Sequence, residues 1–220
     1  MKTEFLYNNN KYVIYPVFDG EHIFRRIERS STFYEIGLLE TVRKYKLTGT
    51  YLDIGANMGN HSIYFMNECR CTNLISIEPE PTIYKTLVKN INQNNHKNIP
   101  FKTYNCALGD RECTVSMDVN PKNSGATKVI SESGDIDCHI LDDLIFDDNI
   151  KVIKMDAEGY ELKILHGAKR IISTHRPLII CEASTPEEFK QVNSYLEKFN
   201  YKTNKRKLAG TPTYAWEPRG

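Results

Sequence analysis

One junction constrains this chain more than any other feature. The apolar run Thr50–Ile54 carries an aspartate at Asp53 and passes through Gly55-Ala56-Asn57-Met58-Gly59 into a helical stretch over Met58–Glu68. A strand that turns on glycine and feeds a helix is the opening half of a βαβ unit. The same rhythm then repeats. Asn73–Ile77 reads as a strand, and the helix after Pro79 and Pro81 places Tyr84, Leu87, Val88 and Ile91 at i, i+3, i+4 and i+7. Phe101–Leu108, Lys151–Met155 and Pro177–Cys181 read as further strands, with helices over Tyr160–Ser173 and Pro186–Phe199 after the last two. Tyr201–Lys207 and Thr213–Trp216 read as a closing hairpin. Such alternation predicts an α/β fold, a Rossmann-like, mainly parallel sheet with helices on both faces.

Two regions break the rhythm. Residues 1–33 read as an N-terminal β extension, a strand pair of Phe5–Tyr7 and Tyr12–Tyr15 around the turn Asn8-Asn9-Asn10, ahead of a main domain over 34–220. That domain opens on a helix over about Tyr34–Tyr45. Residues 113–140 read as inserted short strands, Cys113–Val119, Thr127–Ser131 and Ile136–Ile140, near the active-site edge, with Asn123-Ser124-Gly125 as an acceptor-side loop.

The glycine junction also implies a ligand. Gly55 and Gly59 let the backbone of Ala56 and Asn57 approach a bound molecule, and the helix start at Asn60 offers free N–H groups to an anion. Ligands of open parallel sheets sit at the carboxyl ends of strands. Glu78, at the end of the next strand and followed by Pro79, stands where an acidic residue accepts hydrogen bonds from both ribose hydroxyls of a nucleoside cofactor. The glycine spacing is G-x-x-x-G, not the G-x-G-x-x-G of nicotinamide folds, which weakens but leaves open a NAD-dependent oxidoreductase. No phosphate loop is present.

In order along the chain stand Asp53-Ile-Gly-Ala-Asn-Met-Gly, Glu78-Pro79, Ala107-Leu-Gly-Asp110, Leu141-Asp-Asp, Lys154-Met-Asp-Ala-Glu-Gly-Tyr-Glu161, Leu165-His-Gly-Ala168 and Pro177–Glu182. This series, over roughly residues 32–184, resembles the FkbM family of S-adenosylmethionine-dependent methyltransferases. The resemblance implies a class I methyltransferase fold, a seven-stranded sheet with the last strand antiparallel. It implies O-methylation of a sugar, glycan or other small-molecule hydroxyl, with S-adenosylhomocysteine as product. It places Tyr34, Glu35, His61 and Ala107 beside Asp53, the glycine loop and Glu78 around the cofactor.

Methyl transfer to a hydroxyl needs alignment and a proton acceptor. Asp156 closes the fourth strand, at the cofactor's reactive end, where it either acts as base or holds the cofactor's amino group. Glu158 and Glu182 share that edge as alternative bases. Glu161 reads as stabilisation of a helix start. Lys154, two residues before Asp156 on the same strand face, is a further catalytic candidate: if buried it either pairs with an acidic neighbour or lowers the acceptor's pKa. Asp156, Glu158 and Glu182 could gather Mg²⁺, which prefers oxygen ligands; no residues suggest a zinc site. A Lys-Asp-Lys-Glu set would mean ribose 2′-O-methylation of RNA, but a second Lys is not placed. A non-catalytic binding module on the same fold is the remaining reading, opposed by the intact Asp53, Glu78 and Asp156.

Composition bears on address and partners. The formal net charge of +1 argues against a bare nucleic-acid substrate, although Lys202, Lys205, Arg206 and Lys207 form a local basic patch. The polar first ten residues and the lack of a long apolar run predict a cytoplasmic chain without a membrane span, with its six scattered cysteines reduced. Oligomeric state leaves no mark in the pattern.

Overall fold

In the computed structural model, residues 1–146 and 149–220 are described. β1 (Thr3–Tyr7) and β2 (Asn10–Ile14) form the expected antiparallel hairpin, turned by Asn8 and Asn9 with positive φ. A helix then follows where the sequence reading had only strands. α1 (His22–Ser30) starts on Glu21, whose Oε1 accepts the Phe24 N–H at 2.8 Å. Glutamate is not among the favoured capping residues, so the start carries no sequence signal. Ile23, Phe24 and Ile27 are buried, and Arg25, Arg26 and Arg29 face outward.

α2 (Ile36–Lys44) leads into β3 (Gly49–Ile54), α3 (Asn60–Glu68), β4 (Cys71–Ile77), α4 (Pro81–Asn94) and β5 (Phe101–Tyr104). The expected third strand splits at this point. Asn105 turns aside to donate to the carbonyls of Glu78 and Pro79, at 3.0 and 2.9 Å. β6 (Ala107–Gly109) consequently joins β7 (Cys113–Asp118) and β8 (Lys128–Ile140) in a separate three-stranded sheet of order β6-β8-β7. The two pieces read as Thr127–Ser131 and Ile136–Ile140 are one long strand. Its register against β7 shifts around Val115–Met117, where Gly134 lies so close that a Cβ would meet the Val115 carbonyl oxygen at 2.3 Å.

After the single turn α5 (Leu141–Leu144) come β9 (Ile150–Met155), α6 (Glu161–His166) and α7 (Lys169–His175). The expected helix over Tyr160–Ser173 is thus two. It breaks at Gly167, where a Cβ would stand 2.2 Å from the Gly109 carbonyl oxygen of β6. β10 (Leu178–Glu182), α8 (Pro186–Glu197), β11 (Tyr201–Lys202) and β12 (Thr213–Pro218) finish the chain. β11 is shorter than the predicted Tyr201–Lys207. α8 starts on a Thr185–Glu188 capping box.

The main sheet has the order β11-β12-β10-β9-β3-β4-β5. All pairs are parallel except those made by β12, which is antiparallel to both neighbours. This is the class I methyltransferase arrangement. Strand order reverses at β3: the chain runs outward through β4 and β5, then returns to β9 on the other side, which opens a crevice at the carboxyl ends of β3 and β9. β3 is buried along its whole length, as a central parallel strand must be. Tyr51 packs with α2, α3 and the N-terminal hairpin, whereas Leu52 and Ile54 pack on the face of α6, α7 and α8. Phe5, Tyr12, Ile14, Phe24 and Phe33 belong to the first of these cores, so the N-terminal segment is packed into the domain. The six cysteines are unbridged. No helix among the described residues is long and apolar enough to cross a membrane.

Candidate active site

A cavity of about 870 Å³ opens to solvent at the carboxyl ends of β3, β4 and β9. Its floor is the glycine junction. Gly55 has φ +68°, and a Cβ there would lie 1.8 Å from the Asp156 carbonyl oxygen, so β3 and β9 can splay at this height only around glycine. Gly55, Ala56, Asn57 and Asn60 line the cavity. Gly59, with φ +91°, stands behind, packed on Leu87 at the start of α3.

Asp53 is fully buried and does not line the cavity. Its Oδ2 accepts the Ser62 hydroxyl at 2.6 Å, and its Oδ1 lies 3.4 Å from Lys154 Nζ. Lys154 is itself buried; it donates to the Gly55 carbonyl at 3.2 Å and stands 3.7 Å from Asp156 Oδ2. Burial would strip its proton, but Asp53, Asp156 and Glu35 together outweigh burial and raise its pKa. The acidic partner that a buried Lys154 requires is therefore double.

Glu78 and Pro79 form one side wall. The Glu78 carboxylate is buried and accepts the N–H groups of Asn57 and Glu80, at 2.9 and 3.0 Å. Burial is the dominant influence and pushes its pKa up to about 7. Ala107, with Cys106 and Leu108, extends this wall in apolar form.

Tyr34 and His61 line the opposite end. Asn60 pins Tyr34 by accepting its N–H and donating to its carbonyl, both at 3.0 Å. Burial, then the facing charges of Glu35 and Asp156, push the Tyr34 phenol up to about 12. Glu35 lies behind the wall in left-handed conformation, φ 55°. Its Oε2 is 3.3 Å from His61 Nε2, and its Oε1 accepts the Thr211 hydroxyl at 2.9 Å. Burial works to raise its carboxyl, but His61, Thr211 and Lys154 hold it below the usual range.

The third group is acidic. Asp156 and Glu158 line the cavity, and Glu182 stands just behind at the end of β10. One carboxylate oxygen from each lies within 4.8 Å of the others. Burial, then Asp156, push Glu182 up to about 9, despite a 3.0 Å hydrogen bond from Ser184. Desolvation and the neighbouring Asp156 lift Glu158 to about 7. Glu161 is the exception: its carboxylate accepts the N–H groups of Ala157 and Gly159, at 2.7 and 3.0 Å, and folds the turn.

The remaining wall comes from Ile23 of α1, which no motif marked, from Met117 of β7 and Thr127 and Val129 around the start of β8, which lie in the stretch read as inserted strands, and from Tyr160 of the Lys154–Glu161 segment. Ser124 is the link. Its hydroxyl lies 2.8 Å from Glu21 Oε2 and 3.0 Å from Asn57 Oδ1, tying the N-terminal segment and the insertion to the glycine loop. The inserted strands and the Asn123-Ser124-Gly125 loop were the legible signals for this wall, and Ile23 had none.

A family model described as the methyltransferase FkbM domain matches residues 53–203. A curated relative, the hexuronic acid methyltransferase AglP of Haloferax volcanii, is 24% identical over 164 residues, covering 71% of this chain and 64% of its own. The chain thus spans less than two thirds of that relative's length. Among solved structures, methyltransferase FkbM from Methylobacillus flagellatus aligns with a TM-score of 0.59 at 22% identity, over 77% of this chain and 43% of that one. The tRNA (uracil-54, C5)-methyltransferase of Pyrococcus abyssi, in complex with S-adenosyl-L-homocysteine, aligns at 0.51 and 15% identity, over 98% of this chain and 43% of that one. Precorrin-6y C5,15-methyltransferase of Geobacter metallireducens aligns at 0.50 and 18% identity, over 83% and 84%. At these identities the solved structures speak for the fold. The family model runs from the glycine junction past the acidic group to β11, and the chain belongs to the FkbM methyltransferase family.

Proposed function

We propose that this chain is an S-adenosylmethionine-dependent O-methyltransferase acting on a hydroxyl of a sugar, glycan or other small molecule. One observation carries the reading: a single cavity joins buried Glu78 and the glycine junction to Asp156, whose carboxylate is backed by Glu182 behind the wall. Gly55, where a Cβ would meet the Asp156 carbonyl oxygen, brings the glycine loop and the end of β9 together on the floor of one cavity, as a ligand bridging them requires. Glu78 would hold the ribose hydroxyls, the backbone at Gly55–Asn57 the methionine part, and Pro79 and Ala107 the base. The relative named as a hexuronic acid methyltransferase supports a sugar-type acceptor.

S-adenosylmethionine, when bound, supplies a methyl group on a sulfonium that is already a good leaving group. The chain adds orientation and proton removal. Asp156 takes the proton of the acceptor hydroxyl. Glu182 keeps its own proton at neutral pH and serves Asp156 as a hydrogen-bond donor, the way two close carboxyls share one proton. Lys154, 3.7 Å from Asp156, is the fixed counter-charge. That charge also opposes a Mg²⁺ ion among Asp156, Glu158 and Glu182, so the proposal assigns the trio to protons. Ile23, Ser124 and Val129 roof the cavity and restrict water.

Calorimetry with S-adenosylhomocysteine and with NAD tests the cofactor, and labelled-methyl transfer to a panel of glycosides and uronic acids tests the acceptor. Heat from S-adenosylhomocysteine alone, with label in a hydroxyl-bearing acceptor, is expected. Heat from NAD alone would overturn the reading; S-adenosylhomocysteine binding without transfer to any acceptor would favour a binding module.

A further inference from the structure

A second cavity, of about 1140 Å³, lies beyond the Tyr34 wall and is lined by the end of α1, the segment 32–38 and residues 208–210. We propose that it is the acceptor subsite and that Arg26 and Arg29 hold there an anionic group of the acceptor, a carboxylate or a phosphate; this deepens, and rests on, the methyltransferase reading above.

Three observations carry it. The first is connection. Tyr34 lines both cavities, with Asp156 in the lining of the first and Arg26 in the lining of the second. Glu35 lines the second cavity, while its carboxylate faces His61 of the first at 3.3 Å. A molecule seated beyond Tyr34 can therefore present a hydroxyl to Asp156.

The second is unmatched charge. Arg26 and Arg29 stand at i and i+3 on α1, neighbours on one helix face in the row that begins with Ile23 of the first cavity. Both are exposed, and among the described residues neither has a carboxylate within 4.0 Å. Two like charges at this spacing repel unless something lies between them. Glu35, the acidic residue of the lining, is already engaged by Thr211 and His61. Guanidinium groups match carboxylate and phosphate oxygens in bidentate geometry.

The third is local field. The chain enters this wall at Leu208 directly after the exposed Lys205, Arg206 and Lys207. The charged residues of the lining are Arg26, Arg29 and Glu35, and with Glu35 engaged by Thr211 and His61 the arginine pair is the open positive end of the cavity in a chain that carries only +1 overall.

The test titrates isotope-labelled protein with D-glucuronic acid, D-glucose 6-phosphate and neutral D-glucose, followed by NMR, with and without S-adenosylhomocysteine. Saturable binding of either anion and none of glucose is expected, weakening with added salt. Binding of glucuronic acid alone assigns a carboxylate, and of the sugar phosphate alone a phosphate. In the Arg26→Gln/Arg29→Gln double variant, anion affinity should fall at least tenfold, with S-adenosylhomocysteine affinity within twofold and an unchanged melting temperature. Glucose binding as well as the anions, no binding of either anion, or anion affinity unchanged in the folded double variant would each overturn the proposal. Failure of S-adenosylhomocysteine to bind the wild type would break the methyltransferase reading instead, and the titration without it still reads the arginine site.

Discussion

The two walls of the first cavity are built in opposite ways. The glycine wall comes from one short stretch, Gly55–Met58 with Asn60, completed by Glu78 from the neighbouring strand, whose carboxylate accepts the Asn57 N–H. The facing wall brings together Ile23, Tyr34, Ser124 and Val129, drawn from segments more than a hundred residues apart, and its anchor is the Glu21–Ser124–Asn57 set of hydrogen bonds. A wall made of one turn tolerates no local change, whereas a wall made of many distant pieces spreads the damage. It also places the cofactor end under local control and the acceptor end under the control of packing.

The sharpest way to break this contrast is Gly55→Ala. The new Cβ would lie 1.8 Å from backbone and the residue would be forced to φ +68°. A loss of about 2–4 kcal/mol of stability is expected, with S-adenosylhomocysteine binding abolished. Thermal melts and calorimetry read both; a stable, ligand-binding variant would show that the junction is not the cofactor floor.

Asp156→Asn keeps shape and removes the proton acceptor. Turnover should drop by about 10²-fold or more, the scale of general-base catalysis, with cofactor affinity within a few-fold. Glu182→Gln should cost less than tenfold, because Glu182 already holds its proton at neutral pH and the amide still donates. A reversed ranking in steady-state kinetics would move the base to Glu182, and a parallel fall in cofactor affinity would mean that Asp156 grips the cofactor's amino group.

Glu78→Ala removes the acceptor assigned to the ribose. Hydrogen bonds to a charged group are worth roughly 1.5–3 kcal/mol, so affinity for S-adenosylhomocysteine should fall tenfold or more. Unchanged affinity in a folded variant would release Glu78 from that role.

The raised carboxyls also set a pH dependence. Glu78 and Glu182 titrate higher in the folded chain, about 7 and about 9, than the usual value of 4.5. The folded state thus binds more protons than the unfolded one between these values. Their stabilisation is full below about pH 4.5 and is lost as pH rises through 7 and then 9. The melting temperature of the ligand-free protein should fall by several degrees from pH 6 to pH 9, and less in Glu182→Gln. A melting temperature that rises over this range would contradict the burial of these groups.

Ser124→Ala probes the distant wall and should have the smallest effect. It removes two shared hydrogen bonds, about 1 kcal/mol in net terms, and should shift S-adenosylhomocysteine affinity less than threefold. A tenfold loss would mean that the assembled wall governs the cofactor as strongly as the glycine turn does.

The same contrast separates what could be read along the chain from what could not. The β3–α3 junction, the helix α8 and the closing hairpin of β11 and β12 were legible because each depends on residues close in sequence or on a periodicity that one element displays by itself, whereas the antiparallel last strand came with the family resemblance. Glu78 was legible for the same reason, standing one βαβ unit beyond the glycines. α1 was not, since its start rests on Glu21, a poor capping residue held in place by Ser124 from over a hundred positions away. The breaks at Asn105 and Gly167 were hidden because each answers a neighbour met only in the folded chain, the carbonyls of Glu78 and Pro79 in one case and β6 in the other.

The sequence by itself determined the sheet, its helices and the acidic and glycine residues at the strand ends, because hydrophobic period and turn chemistry act over a few residues. Tertiary structure alone decided which of those residues face the cavity. Asp53 and Glu182 stand behind its wall, Lys154 is neutralised from two sides, and Ser124 and Ile23 are brought to the rim. Exposure and charge are set by what packs across the crevice, and those partners come from segments whose distance along the chain carries no local signal.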